Sequence, residues 1–388
     1  MAPKFTLDDT QKQIANIKVI GVGGGGGNAL NNMITEGLSD VHFIAANTDA
    51  QVLAQSLAQN RLQLGSNSTK GLGAGGKPEV GRAAADSDRA HIKEWLEDTE
   101  MVFITAGMGG GTGTGATPVI AEVAKEMGIL TVGVVTKPFG FEGKRRMRQA
   151  EEGIAALTEV VDTLITIPNQ KLISLAGKST SMKDTFLKAD DVLLQAVRGI
   201  SDMITKSGYI NVDFADVNAV MREHQGLAMM GTGTATGECR ASEAAEKAIS
   251  SPLLDEVDIH GAKGLLVNIT ASEATLSMAE YDEAASIILN MADDDAEVVC
   301  GVVFDENIGD EMRITVVATG LQQQQQAAKI APIHNINIPK MVAAPAHPQV
   351  PVQGFGTGSG NAAVQPIAQE SIYDGKYDVP TWARKQAD

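Results

Sequence analysis

Two glycine runs constrain this chain more than any other feature. "GVGGGGGN" (Gly21 to Asn28) and "AGMGGGTGTGAT" (Ala106 to Thr117) each follow a short apolar run and precede a helical pattern. Glycines placed there remove the Cβ atoms that would hold a ligand off the backbone. The helix that follows offers open N–H donors and partial positive charge, which suits phosphate. The second run has six glycines and no lysine, so it is not a Walker loop. Charge on its ligand must be met by amides, by the Thr112 and Thr114 hydroxyls, by a metal or by residues elsewhere. The alternative is a turn that only permits close packing. The first run carries a G-x-G-x-x-G spacing at Gly21, Gly23 and Gly26, with Asp49 near where a ribose-binding acid would fall. That is a dinucleotide fingerprint, although its five consecutive glycines exceed what a tight turn needs.

"IKVIGV", "VHFIAANTD", "MVFITAG", "ILTVGVVT" and "DTLITIPN" read as buried strands. Helical patterns alternate with them: "NALNNMITEG", an amphipathic stretch from Pro78 to Leu96, and a helix from Thr117 to Met127. Such alternation predicts an α/β fold, a doubly wound and mostly parallel sheet with ligand loops at the carboxyl ends of its strands. Periodicity from Ser181 to Lys206 predicts a long central helix. Beyond it, "GAKGLLVNITAS", "EVVCGVVFDE" and "MRITVVATG" read as strands of a smaller α+β domain, with helices around Ser242 to Ile249 and Asp282 to Met291. After Gly320 the chain turns rich in Gln, Pro, Ala and Gly, a composition that favours disorder. The closing "YDVPTWARKQAD" reads as a docking peptide or a frayed end. The expected plan is a 1-16 extension, a 17-180 nucleotide domain, the 181-206 helix, a 207-320 domain, a 321-371 linker and a 372-388 peptide.

A net charge of −17 argues against a sequence-independent nucleic-acid binder. The two cysteines, Cys239 and Cys300, lack any zinc-site spacing and read as reduced thiols. No run of 18 apolar residues and no apolar signal core occur, so the expectation is a soluble, cytoplasmic protein without direct membrane insertion.

"KVIGVGGGGGNAL", "NTDAQ", "TKGLGAG", "GGGTGTG", "LITIPN" and "NVDFADV" occur in that order. Together they resemble the tubulin/FtsZ GTPase superfamily, on its bacterial FtsZ branch, from about Ile17 to Gly320. The terminal peptide is similar to that branch's recognition tail. The resemblance implies a chain that binds GTP or GDP with Mg²⁺ on the phosphates and polymerises head to tail with copies of itself. By position, Gly24, Gly25, Gly26, Gly27 and Asn28 would form the first nucleotide wall. Gly110, Gly111, Thr112 and Gly113 would hold the α- and β-phosphates, and Ala74 and Gly75 would lie near the γ-phosphate. Glu142 and Arg146 would flank ribose and phosphates. Asn169 and Asp190 would bond guanine, with Phe186 stacked on the base.

Asp213 and Asp216, supported by Asn211, would direct water into the next subunit's pocket. Without the resemblance, Asp213 reads as a helix cap, Glu142 and Arg146 as a solvated helix start, and Phe186 as core. Residues 372-388 would bind membrane tethers such as FtsA and ZipA, within a midcell division ring. Lys77 stands where the family has an uncharged residue and is expected to face solvent. The segment holding His224 is one residue longer than usual. A nicotinamide-dependent oxidoreductase built on the first loop, and a filament protein that binds nucleotide without hydrolysing it, are the competing readings.

Overall fold

The computed structural model describes residues 15–176, 180–206, 210, 212–223, 226–254, 262–293 and 295–321. Asn211, His224 and the terminal peptide lie outside the described residues. The first half runs β1 (Ile17–Val22), α1 (Gly23–Thr35), β2 (His42–Asn47), α2 (Ala50–Ala54), β3 (Asn60–Gln63), α3 (Ser66–Thr69), α4 (Pro78–Ser87) and α5 (Arg89–Trp95). It continues with β4 (Met101–Gly107), α6 (Thr112–Glu126), β5 (Leu130–Lys137), α7 (Lys144–Thr158), β6 (Thr163–Pro168) and α8 (Asn169–Ala176). These strands are all parallel, in the order β3-β2-β1-β4-β5-β6.

Alternation along each strand supplies both faces. Ile17 and Val19 of β1 join Leu30 and Met33 of α1 in one core, whereas Ile20 and Val22 join Val119 and Ile120 of α6 in another. The sheet is therefore covered on both sides, as parallel strands require.

The spine is α9 (Met182–Thr205). Ser181 caps it by accepting from the Asp184 amide at 3.1 Å, and Leu193, Val197 and Ile200 bury its inner stripe against the first core. Past it lie α10 (Phe214–Glu223), β7 (Gly226–Thr236), α11 (Arg240–Ile249), β8 (Gly264–Ala271), α12 (Met278–Leu289), β9 (Glu297–Phe304) and β10 (Glu311–Thr319). β7 serves two halves of one continuous sheet. Its first three residues pair parallel with β6, and the rest pairs antiparallel with β10, giving the order β6-β7-β10-β8-β9.

The doubly wound parallel sheet, the long helix and the smaller α+β unit are thus as the sequence implies, with local corrections. Helix α1 starts inside its glycine run, and α6 starts at Thr112 rather than Thr117. Close loop packing there overrides the roughly 1 kcal/mol helix penalty of each glycine. The stretch from Pro78 to Leu96 breaks into two helices at Asp88, whose carboxylate accepts from the Gly65 amide at 2.6 Å. Strands β3 and β7 lie where the sequence pattern gives no strand. β7 contains Gly231 and Gly233, poor strand residues in isolation, yet a Cβ at either would sit 2.0 Å from an α11 carbonyl. Those glycines let α11 lie directly on the strand.

Arg240 locks the second unit. Its side chain is 3% exposed. It donates to Glu280 at 2.7 Å, to the Asp310 carbonyl at 2.9 Å and to the Thr275 carbonyl at 2.8 Å. The Arg240 bond holds the Glu280 carboxyl down at about 2, with Ser277 adding further donation. Because that pKa is depressed, the stabilisation is present above the ordinary carboxylate range and is lost as pH falls toward about 2. Arg240→Leu should cost about 3 kcal/mol in urea unfolding at pH 7, because it strands a carboxylate. Far less of that difference should remain at the acid end.

Candidate functional site

The strand order reverses between β1 and β4, the crevice where open α/β sheets take their ligands. Both glycine loops open there, since Val22 of β1 is registered with Ala106 of β4. The loops touch each other. Gly23 has φ of +73°, and a Cβ on it would lie 2.8 Å from the Gly113 amide nitrogen. A Cβ on Gly111 would meet Ala74 at 2.8 Å, which brings the loop after β3 against the second run. The Thr48 and Thr112 hydroxyls bond at 2.6 Å beneath them.

Other glycines have no such packing role. At Gly24, Gly27 and Gly110 an added Cβ would meet nothing within 4 Å. Their backbone is bare toward open space. Neither α1 nor α6 has a side-chain cap or an acidic residue in its first turn, so two sets of free amides converge on one crevice. Gly25, Gly26 and Gly113 instead pack against the neighbouring strand or loop: a Cβ on Gly26 would lie 2.3 Å from the Thr105 carbonyl oxygen. Gly75 has φ of +59° and also faces open space, whereas Ala74 is buried. Asn28 is exposed beside the first run.

The same sheet edge gathers the remaining candidates. After β5, Glu142 accepts from the Phe139 amide at 2.8 Å and pairs with Arg146 at 2.7 Å. The pair braces a short 3-10 turn, Gly140–Glu142. Arg146 abuts the second glycine loop, because a Cβ on Gly109 would sit 2.7 Å from its carbonyl oxygen. Asn169 directly follows β6 and is 5% exposed, and its side-chain oxygen is buried with no hydrogen-bond partner. Phe186 is 38% exposed and meets the buried Phe139 edge-on, with centroids 5.1 Å apart. Phe139 also stacks on Phe141 at 5.0 Å. Sequence reading missed these two phenylalanines as a support for Phe186; their i, i+2 spacing in "PFGFEG" was the only signal. One turn beyond Phe186, burial pushes the Asp190 carboxyl up to about 7.

Asp213 and Asp216 are not brought to this edge. Asp213 caps α10 by accepting from the Asp216 amide at 2.9 Å, and both carboxylates are exposed. The preceding Ile210 carbonyl accepts from Val302 of β9 at 3.3 Å. The other end of α10 is held at the amino ends of the strands: Thr163, first in β6, donates to the Met221 carbonyl at 2.9 Å. The last turn of α10 therefore lies at the end of the parallel sheet opposite the phosphate-loop amides, with Asp213 and Asp216 at the far end of that helix.

The acid of the competing first-loop reading also has a structural role: Asp49 caps α2, its Oδ1 accepting from the Gln51 and Val52 amides at 2.9 and 3.2 Å. Lys77 is exposed, and Cys239 and Cys300 are free thiols. Among the described residues no cluster of three or more side chains could cage a metal ion. No helix of the described residues is long and apolar enough to cross a membrane.

Converging helix N-termini beside a desolvated carboxylate and an unpaired amide oxygen define a nucleotide-binding α/β domain. Residues 16–177 match the Tubulin/FtsZ family, GTPase domain, and residues 226–322 match the FtsZ family, C-terminal domain. The cell division protein FtsZ of Azotobacter vinelandii is 53% identical over 99% of this chain and all of its own length. That of Pseudomonas aeruginosa is 60% identical over 82% of this chain and 80% of its own. An FtsZ dimer from M. jannaschii superposes with TM-score 0.76 at 45% identity, covering 80% of this chain and 89% of that one. A CetZ2 protofilament from Haloferax volcanii shares the fold alone, at TM-score 0.65 and 21% identity over 80% of this chain and 94% of that one. The chain belongs to the FtsZ branch of the tubulin/FtsZ family and is a GTPase.

The two kinds of glycine are separable by mutation. Gly23→Ala strains a positive φ and drives a methyl into the second loop, so it should destabilise the nucleotide-free chain by about 1–3 kcal/mol. Gly24→Ala meets open space and should leave urea stability unchanged or raise it by up to about 1 kcal/mol.

Proposed function

We propose that this chain is the polymerising GTPase of bacterial cell division, assembling head to tail with copies of itself and hydrolysing GTP at each subunit junction. One observation supports the reading: the uncapped amides of α1 and α6 open at the carboxyl edge of the sheet, whereas the helix that Asp213 caps has its last turn tied to the amino end of β6. Head-to-tail stacking would bring one subunit's carboxylates to the next subunit's phosphates.

Gly24, Gly25, Gly26, Gly27, Asn28, Gly110, Gly111, Thr112 and Gly113 line the phosphates, with Ala74 and Gly75 toward the γ-phosphate. Glu142 and Arg146 flank ribose and phosphates. Asp190 accepts from guanine N1–H and the 2-amino group, a pair of donors that adenine does not present. Asn169, whose buried oxygen lacks a partner, takes a further polar contact, and Phe186, braced by Phe139, packs on the base.

Asp213 and Asp216 of the adjoining subunit orient the attacking water, with Asn211 supporting their loop. Hydrolysis is then positioning plus charge stabilisation of in-line attack. Mg²⁺ carried on the phosphate oxygens would neutralise phosphate charge. The filament forms a ring at midcell, and residues 372-388 engage tethers such as FtsA and ZipA.

GTP turnover per chain should rise steeply with protein concentration; a rate independent of concentration would rule out the shared junction. Asp213→Ala should keep GTP affinity while turnover falls about a hundredfold or more. Asp190 predicts a pH dependence of known sign. Its free carboxyl is half protonated at about pH 7, and only the ionised form accepts both guanine donors. Guanine-nucleotide affinity measured by fluorescence titration should weaken about tenfold from pH 8 to pH 6, by the fraction of competent pocket. Asp190→Asn, which retains the ligand's own titration, supplies the baseline and should lose the pocket's share of that slope.

A further inference from the structure

We propose that Arg222 is a positioning residue for hydrolysis: it fastens the last turn of α10 to the foot of α6 and thereby sets where Asp213 and Asp216 stand. The inference rests on the reading that those two carboxylates act in the reaction.

Arg222 donates through Nη2 to the Gly128 carbonyl at 2.7 Å. Its Nε lies 3.9 Å from Oδ2 of Asp162, which is itself 6% exposed and accepts from the Thr131 amide at 2.9 Å. The adjacent Met221 carbonyl takes the buried Thr163 hydroxyl at 2.9 Å. One helix end is thus tied to the loop before β5, to the residue before β6 and to the first residue of β6. A cation in the last turn also complements the helix dipole and the buried Asp162 carboxylate. Arginine suits the task because its planar fork reaches a carbonyl while lying along a carboxylate; lysine retains one point of attachment.

What Arg222 grips explains why the fastening matters. Gly128 directly follows the C-cap of α6, and α6 begins at the second glycine loop. This helix is a 15-residue rod about 22 Å long. Its first turn faces the phosphates and its far end holds Arg222. From there α10 runs back about 9 Å to Asp216 and about 13 Å to the capping Asp213. The path from phosphate loop to carboxylates is two helices and one joint, and Arg222 is that joint. In a head-to-tail stack the carboxylates meet a γ-phosphate held by another copy, so looseness at the joint becomes misplacement of the water. A misplacement of about 1 Å is enough to cost up to about a hundredfold.

The test measures GTP turnover at saturating protein, the protein concentration giving half-maximal rate, GTP affinity of the isolated chain and the urea midpoint, for R222Q, R222K and D213A. R222Q should lower maximal turnover about tenfold while GTP affinity and the half-maximal concentration stay within about twofold. R222K, which keeps the charge and one donor, should fold like the parent and fall between the two. A simple loss of folded protein would instead lower the urea midpoint and the amount of active chain without this ordering. R222Q at the parent rate, R222K no better than R222Q, or GTP affinity lost in step with turnover would each overturn the proposal. If D213A retains turnover, the assignment of the carboxylates fails and this inference falls with it. If D213A is inactive and R222Q is not impaired, only the role of Arg222 fails.

Discussion

Everything distinctive in this molecule depends on two backbone segments meeting at van der Waals range without side chains between them. Gly23, at positive φ, faces the Gly113 amide across the gap between β1 and β4. Any larger residue at that contact would push α1 and α6 apart and separate the two sets of free amides that converge there. With the contact made, two helix dipoles reinforce each other at one point, and a polyphosphate can be bound without a loop lysine. The remaining glycines divide by what lies opposite them: protein at Gly25, Gly26 and Gly113, open space at Gly24, Gly27 and Gly110.

The second constraint is directional. In a parallel sheet every carboxyl end lies on one edge, so the loops after β1, β3, β4, β5 and β6 gather there by topology alone. The same rule sends α10 elsewhere, because its last turn is tied to the amino end of β6. The phosphate-type loops and the last turn of α10 thus occupy opposite edges of the sheet. The α+β unit keeps α10 in place. β7 joins both halves into one sheet, and Arg240 holds α11, the start of α12 and the turn before β10 together.

Much of this was legible from residue order. Apolar runs marked β1, β2, β4, β5 and β6, the 3.6-residue period marked α9, and the glycine runs marked the ligand edge. Legibility failed where a residue's meaning depends on a distant partner. Gly231 and Gly233 read as strand breakers until α11 is placed on them. Helix α6 reads as starting at Thr117 until the contacts of Gly111 and Gly113 show why glycine belongs at its start. Asp49 matches a ribose ligand by spacing, and its carboxylate caps α2 through Oδ1. Arg222 carried no local signal, since its partners Gly128 and Asp162 lie far back in the chain.

The sequence by itself determined the class of fold, the phosphate-type loops and the family, because periodicity and motif order are local properties of the chain. Only the tertiary structure decided which glycines pack and which stay open, which acid is a cap and which lies desolvated, and at which end of the sheet each group stands. Those outcomes turn on burial and on distance between segments up to a hundred residues apart. The relation between the two glycine runs is also tertiary: they are adjacent walls of a single crevice, each needing the other's lack of side chains.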